Sequence, residues 1–216
     1  MKKSILVILI MILVLCCVGC TQHDFLDERF CSTAFFGTYV EVFLQSEGKE
    51  ERDRQNLQNA KAEIEQTLIQ ISTLLDADKP SGDVYRFNAL ARGESIEVSE
   101  IFAECFKVAK QVYDLTDGAY NPAVYSLVDL WGFSSRVLSN NGVSYPYDRP
   151  TQSVPQDDYV TAFKSLTDFG GIRLDKVGEK YFVTKPNDFA TVGGDDSEYT
   201  LKIDFGGIAK ALQGTK

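Results

Sequence analysis

The chain has 216 residues, with 22 lysines and arginines against 31 aspartates and glutamates, and its formal net charge is −9. Nucleic-acid binding requires a basic surface that replaces counterions, so this acidic composition argues against a nucleic-acid partner. The single histidine, His23, precedes every predicted helix and strand. This position excludes a histidine base, and zinc held by histidines, from the folded part of the chain.

The N-terminus predicts an export signal. Two lysines precede the apolar run 5–18, which ends at Val18-Gly19-Cys20. The run is shorter than the about 20 residues that a membrane span needs, and its order of charged, apolar and small residues is typical of a signal peptide. Its end resembles a bacterial lipoprotein lipobox, with Cys17 where leucine is usual; an ordinary secretory signal is the alternative. The resemblance implies removal of residues 1–19, a lipid on Cys20, and a protein anchored to the bacterial cell membrane on its periplasmic or outer face.

Two of the five cysteines, Cys31 and Cys105, remain outside the predicted signal and the lipidation position. In an oxidising compartment they could form one disulfide. Two free thiols are at least as well supported, because Cys105 falls on the apolar face of a predicted helix. Their spacing matches no metal-binding motif.

The N-terminal half predicts a tether, a strand and three helices. A polar tether over residues 20–33 precedes a strand with alternating apolar residues at 35–44, and an amphipathic helix spans about 50–75. A second helix begins after the N-cap Ser99 and ends near Leu115. A third begins at about Pro122, a residue that suits the first turn of a helix, and runs to about residue 130.

The C-terminal half predicts shorter elements. A long surface loop over 134–156 leads to a short helix at 157–166, followed by a hairpin over 172–184. Residues 187–198 are expected to form another loop, and the alternation from Tyr199 to Phe205 predicts a final strand. Without internal repeats or a low-complexity linker, residues 34–216 are expected to form one α/β (α+β) domain.

The most informative stretch follows that final strand. Gly206-Gly207 turns the chain into the first turn of a helix, where backbone N–H groups and the positive end of the helix dipole can bind a phosphate. Asp204 precedes this turn and Lys210 follows it. The two side chains are placed to bind a phosphorylated, metal-bearing ligand, and a plain strand-to-helix connection with a surface lysine is the alternative.

Four segments, taken in chain order, resemble the ApbE family, the FAD:protein FMN transferases. Phe36-Gly37-Thr38 is similar to a Met-Gly-Thr strand of the family, and the segment 82–88 to its Ser-acid-hydrophobic-x-Arg-hydrophobic-Asn segment. The segment 116–133 is close to the family's Gly-Ala-Phe-Asp-Pro-Thr…Leu-Trp-Gly-Phe block. The segment 203–210 is close to its Asp-Leu-Gly-Gly-Ile-Ala-Lys block, and these last two are the most specific.

The resemblance implies an ApbE-like fold, in which a mixed sheet is flanked by helices. It also implies an enzyme that uses FAD as substrate and Mg²⁺ as cofactor. The family transfers FMN onto a threonine hydroxyl of a partner flavoprotein and releases AMP, and some members hydrolyse FAD to FMN and AMP. The family also continues for well over a hundred residues beyond the last motif, with its remaining metal ligands there. The chain is therefore expected to be the N-terminal portion of such an enzyme, and a non-catalytic flavin-binding lipoprotein remnant is the alternative.

The resemblance assigns roles to individual positions. Gly207 stands where a backbone carbonyl coordinates the metal, and Lys210, the expected catalytic residue, is placed near the phosphates. The positions matching FAD-contacting residues are Phe36, Ala119, Tyr120, Asn121 and Asp204.

Some positions depart from the family's pattern or have simpler explanations. Phe36 replaces a methionine, Asn121 an aspartate and Ala123 a threonine, and the last two changes remove a charge and a hydroxyl. Asn121 is also a candidate cap for the helix at Pro122. Trp131 and Phe133 are expected in the core rather than against a cofactor.

Overall fold

The computed structural model describes residues 26–33, 35, 39–48, 50–133, 154–193 and 195–212. The predicted signal peptide and Cys20 lie outside these residues, as does most of the predicted loop 134–156. The chain divides into two compact units, the first containing the described residues up to Ser32 with Val40–Ile64, and the second Thr33–Tyr39 with Glu65–Lys216. No helix within the described ranges is long and apolar enough to cross a bilayer.

The first unit contains a two-stranded antiparallel sheet and the beginning of a long helix. Strand β1 (Leu26–Ser32) pairs with β2 (Val40–Ser46) along its whole length. Helix α1 (Glu51–Leu75) matches the predicted amphipathic helix, and the division between the units falls inside it. Strand β1 forms within the segment expected to be a tether, because every second residue of 26–32 is partly buried in this hairpin.

The second unit contains the remaining elements. Its helices after α1 are α2 (Asp83–Asn88), α3 (Glu100–Leu115), α4 (Tyr125–Leu130), α5 (Asp157–Lys164) and α6 (Gly206–Leu212). Short 3₁₀ turns occur at Pro122–Val124 and Phe169–Gly171. Its strands are β3 (Ser95–Val98), β4 (Arg173–Val177), β5 (Lys180–Thr184), β6 (Phe189–Val192) and β7 (Asp195–Thr200).

These strands form two small sheets flanked by helices. One has the order β3-β5-β4 and the other pairs β6 with β7, and all of these pairings are antiparallel. The mixed α/β class agrees with the prediction, as does the hairpin β4–β5. Strand β6 and most of β7 lie where the sequence predicts a loop, and only Tyr199 and Thr200 of β7 belong to the predicted final strand.

The residues at the starts of α3 and α4 have distinct roles. Ser99 caps α3, since its side chain accepts a hydrogen bond from the backbone N–H of Phe102 at 3.1 Å. The buried face of α3 includes Cys105, and Cys31 and Cys105 are both free thiols, so the disulfide alternative is wrong. Pro122 opens a 3₁₀ turn that continues into α4 rather than a regular α-helix.

An aromatic cluster forms the centre of the larger core in the second unit. The ring of Phe205 lies edge-on to those of Phe102 and Phe169, with centroid distances of 5.4 and 6.4 Å. Phe106 lies against Phe169 at 5.0 Å. A smaller core cluster comprises Leu130, Tyr159, Phe163, Leu166 and Val192. Phe205 thus joins the segment before α6 to the centre of the larger core.

Candidate flavin-binding site

The loop after α3 forms a tight turn that presents residues 119–121. Asp117 and Gly118 both adopt left-handed backbone conformations, with φ of 51° and 77°. Aspartate and glycine are among the residues that tolerate this region best. The hydroxyl of Thr116 accepts a hydrogen bond from the Tyr120 N–H at 3.1 Å and closes the turn. Ala119 is therefore held in an exposed position at the start of the predicted flavin-contacting triplet.

Asn121 is the cap of the following turn. Its Oδ1 accepts a hydrogen bond from the Ala123 N–H at 2.9 Å, which confirms the capping role expected from the sequence. Its Nδ2 donates to the Thr167 carbonyl at 2.7 Å. An aspartate cannot make this second bond when it is ionised, because a carboxylate has no donor. The departure from the family's aspartate thus lets this loop bond to the segment after α5.

The segment 201–205 differs from its prediction. Leu201, Ile203 and Phe205 are buried while Lys202 and Asp204 are partly exposed, so the predicted alternation is present. The segment is nevertheless not a strand, because its backbone groups bond to loops and side chains instead of a neighbouring strand. One partner is Asn88, whose Oδ1 accepts from the Ile203 N–H at 2.8 Å and whose Nδ2 donates to the Ile203 carbonyl at 2.9 Å.

Asp204 connects this segment to the loop 119–122. Its N–H donates to the Pro122 carbonyl at 2.9 Å, which brings the two most family-like motifs together. Its carboxylate Oδ1 accepts from the Gly206 N–H at 2.8 Å, forming a local Asp turn at the start of α6. The expectation that backbone N–H groups of the glycine turn are free to bind a phosphate is therefore wrong for Gly206, because the Asp204 carboxylate already accepts a hydrogen bond from its N–H.

Tyr120 packs directly on the glycine turn. A Cβ atom placed on Gly207 would lie 3.4 Å from Tyr120 Cε2, so the ring rests against the glycine backbone. The Tyr120 hydroxyl oxygen is buried and has no hydrogen-bond partner among the described residues. Burial, together with the nearby Cys105 and Asp204, raises the pKa of this hydroxyl, so it stays protonated at neutral pH.

The Cys105 thiol lies near Tyr120 and Asp204. Burial, and to a lesser extent the charge of Asp204, raises its pKa to about 12. A thiol with such a pKa holds its proton at neutral pH and is a poor nucleophile. Cys105 therefore acts as a small apolar side chain beside the predicted site.

The outcomes for the remaining predicted residues differ. Phe36 lies outside the described residues. Lys210 lies in α6, and its side chain lies outside the described part of the chain. Trp131 and Phe133 have exposed fractions of 43% and 75%, so the expectation that they lie in the core is wrong. Both follow the last turn of the short helix α4, whose Leu130 takes the buried position instead.

The described residues do not form a magnesium site by themselves. Within the described ranges, no three histidine, cysteine, aspartate or glutamate side chains gather as metal ligands would. Mg²⁺ prefers six oxygen ligands in octahedral geometry, and near Gly207 the chain offers the Asp204 carboxylate, one oxygen of which already bonds to Gly206.

Two buried polar residues near the site were missed by the sequence reasoning. Asn88 ends the motif 82–88, so the resemblance contained a signal for it, although no structural role was assigned. Lys185 is 1% exposed, and a lysine after a strand gives no indication of burial. Its Nζ donates to the Asn88 carbonyl at 3.0 Å and to the Thr200 hydroxyl at 3.2 Å.

Comparison with known proteins agrees with this geometry. The sequence model of the ApbE family matches residues 36–213. A search of curated proteins gives no match.

Among solved structures, the chain is similar to the ApbE protein of Thermotoga maritima (22% identity, TM-score 0.61), covering 88% of this chain and 50% of that one. It is also similar to the flavinyl transferase ApbE of Pseudomonas stutzeri (21% identity, TM-score 0.61), covering 90% of this chain and 52% of that one. For the flavin transferase ApbE of Vibrio cholerae the identity is 21% and the TM-score 0.62, with coverage of 88% and 51%. The chain thus spans about half the length of these relatives, and the likeness shows a shared fold.

Proposed function

The chain belongs to the ApbE family, and we propose that its full-length form transfers FMN from FAD to a threonine hydroxyl of a partner flavoprotein, releasing AMP. The observation that carries the proposal is the hydrogen bond of 2.9 Å between the Asp204 N–H and the Pro122 carbonyl. It joins the two motifs that resemble the family most closely, which supports a single site formed by residues 119–121 with Asp204 and Gly207.

The proposed reaction exchanges one bond at phosphorus for another. The threonine oxygen forms a bond to the phosphorus of the FMN half of FAD, and the bond from that phosphorus to the bridging oxygen breaks. AMP leaves with the bridging oxygen, and the threonine proton passes to solvent. Catalysis of this kind depends mainly on positioning and electrostatic stabilisation. The residues 119–121 and Asp204 would hold the flavin nucleotide, and Lys210 would bring positive charge to its phosphates.

The proposal includes Mg²⁺ on the basis of the family resemblance. A divalent cation neutralises a diphosphate and assists displacement at phosphorus. Gly207 would supply a backbone carbonyl to it. Within the described residues, no group of three or more histidine, cysteine, aspartate or glutamate side chains supplies the rest of the ion's ligands.

The test is incubation of the full-length protein with FAD, Mg²⁺ and a flavoprotein that carries the acceptor threonine. We expect a covalent, fluorescent flavin on the acceptor and one AMP released for each flavin attached. Free FMN together with AMP, and no flavin on the acceptor, would show hydrolysis of FAD instead. Absence of both products would refute the proposal and favour a flavin-binding protein without activity.

Substitution of Asp204 separates its two roles. Asp204→Ala removes the charge and the acceptor for the Gly206 N–H, so kcat/KM for FAD is expected to fall by about tenfold or more, a loss of about 1.4 kcal/mol of transition-state stabilisation. Asp204→Asn keeps an oxygen that can accept from the Gly206 N–H and removes only the charge. Its kcat/KM for FAD should therefore lie between the values of the wild-type protein and of Asp204→Ala. Steady-state kinetics with varied FAD measures both.

The matched control is Asp175→Ala, which removes an exposed aspartate from β4. It should leave the kinetics unchanged. Equal kinetics for Asp204→Ala and the wild-type protein would remove Asp204 from the site.

We also propose that the protein is exported and anchored to the bacterial cell membrane through a lipid on Cys20. The support is the order of charged, apolar and small residues before this cysteine. Cys20→Ser is expected to abolish labelling by radioactive palmitate and to move the protein out of the membrane fraction. Labelling that persists in this variant would contradict the proposal.

A further inference from the structure

Resting on the proposed function, we infer that Asn88 and Lys185 are positioning residues for the flavin site. Asn88 holds the backbone of Ile203 with two hydrogen bonds, and Lys185 holds the backbone of Asn88 with another. Together they determine the position of Asp204 and of the glycine turn.

The Asn88 carboxamide makes the two backbone hydrogen bonds that a neighbouring strand would otherwise make with Ile203. It accepts from the Ile203 N–H at 2.8 Å and donates to the Ile203 carbonyl at 2.9 Å, and both bonds are buried. This is the donor–acceptor pair that a residue in a sheet makes with a residue on the next strand. Few other side chains can make it, because both a donor and an acceptor are required on one planar group.

Lys185 holds the main chain of Asn88. As the last residue of α2, Asn88 has a carbonyl without a partner inside its own helix, and a lysine can satisfy such a carbonyl. Lys185 does so at 3.0 Å, while its second bond reaches the Thr200 hydroxyl at 3.2 Å. Its own N–H donates to the Glu94 carbonyl at 2.9 Å, so the residue is fixed at both ends.

The hydrogen bonds from Lys185 and Asn88 reach Ile203, which is the residue next to the predicted site. The residue after Ile203 is Asp204, whose N–H is held by Pro122 and whose carboxylate caps Gly206. A slip of one residue in this extended segment would turn Asp204 towards the core and Ile203 towards solvent. Asn88 opposes such a slip, because its carboxamide fits both backbone groups of one residue only.

The main test compares Asn88→Ala with the wild-type full-length protein by two measurements. Hydrogen exchange is expected to become faster at the amides of Ile203 and Asp204, while that of Val183 in β5 stays unchanged under native conditions. Calorimetry is expected to show a Kd for FAD that is raised about tenfold or more, which corresponds to about 1.4 kcal/mol.

Thr200 provides a milder second pair of variants. Thr200→Val removes the hydroxyl that accepts a hydrogen bond from Lys185. It is expected to raise the Kd for FAD by a smaller factor than Asn88→Ala does. Thr200→Ser keeps the hydroxyl and should restore the wild-type Kd. This rescue separates the hydrogen bond from the packing of the side chain.

A control for loss of stability is Phe163→Leu, which removes buried volume from the smaller core cluster. It should lower the free energy of unfolding without changing the Kd for FAD. A Kd for FAD in Asn88→Ala equal to that of the wild-type protein would overturn the inference alone. A Kd raised as much by Phe163→Leu as by Asn88→Ala would also overturn it, because loss of stability would then explain both. Failure of the wild-type protein to bind FAD would overturn the proposed function, and the inference with it.

Discussion

The free energy of unfolding of this protein is expected to rise by about 2 kcal/mol between about pH 7 and pH 9, and Lys185→Met is expected to remove most of that rise. Burial of the ammonium group and, to a lesser extent, the charge of Lys202 lower the pKa of Lys185, Glu94 opposes them, and the net pKa is about 7. In the unfolded chain the pKa returns to about 10.4.

The sign follows from the protons bound in each state. Between the two pKa values the native lysine is neutral while the unfolded lysine is protonated, so unfolding takes up a proton. Stability therefore increases with pH above about 7, by up to about 1.4 kcal/mol for each pH unit. Above about pH 9 the Cys105 thiol opposes the rise, because its raised pKa keeps it protonated in the native state while the unfolded thiol ionises. Below about pH 7 both states are protonated and this contribution is constant. The neutral amine can still donate to Asn88 and Thr200, so the hydrogen bonds of the buried group persist.

Urea unfolding at a series of pH values measures the effect. The comparison needs a control lysine, because other groups titrate in the same range. Lys180→Met is suitable, since Lys180 lies in the same strand region, is well exposed and pairs with Glu97 at 2.8 Å. The Lys180 variant should keep the rise of the wild-type protein. A Lys185→Met curve parallel to that of the wild-type protein would show that the lysine keeps an ordinary pKa when buried.

The sequence predicted the longer helices well because their signals are local, whereas the six-residue helix α2 (Asp83–Asn88) was not predicted. The period of apolar residues over 50–75 and the cap at Ser99 depend on neighbours within a few positions, and α1 and α3 follow them. Strands were harder to predict. The pair β6–β7 contains Gly193, Asp195 and Asp196, whose polar and flexible character favours a loop, yet pairing across the hairpin overrides it.

The segment 201–205 illustrates the reverse case. Apolar residues alternate along it as predicted, and these residues are buried. No strand forms, because the hydrogen-bond partner of the Ile203 backbone is a side chain, that of Asn88, 115 residues earlier in the chain. Lys185 is likewise 97 residues from Asn88, and Asn121 reaches Thr167 over 46 residues. Family motifs could place residues 119–121 and 204–207 in one site. Asn88 belongs to the family-like segment 82–88, but its two hydrogen bonds to Ile203 and the burial of Lys185 are identified only in the folded chain.

Phe205→Ala is expected to lower the free energy of unfolding by about 3–5 kcal/mol, because it removes a fully buried ring from a packed core. The ring is 0% exposed and lies between Phe102 and Phe169. A loss of this size is a large part of the about 5–15 kcal/mol that stabilises a typical domain. Thermal and urea unfolding of the variant measure it, and Phe205→Leu provides a milder change if the alanine variant does not fold.

The same substitution also bears on the site, because Phe205 precedes the glycine turn. Its carbonyl accepts from the N–H groups of Ile208 and Ala209 at 2.9 and 2.8 Å, so its position sets the start of α6. Phe163→Ala, in the smaller cluster, should cost a similar amount of stability. If the site depends on the anchoring of the turn, the Phe205 variants bind FAD more weakly than Phe163 variants of equal stability. Equal affinities in the two series would mean that the turn keeps its geometry without the aromatic cluster, and that the hydrogen bonds from Asn88 and Pro122 are sufficient to hold it.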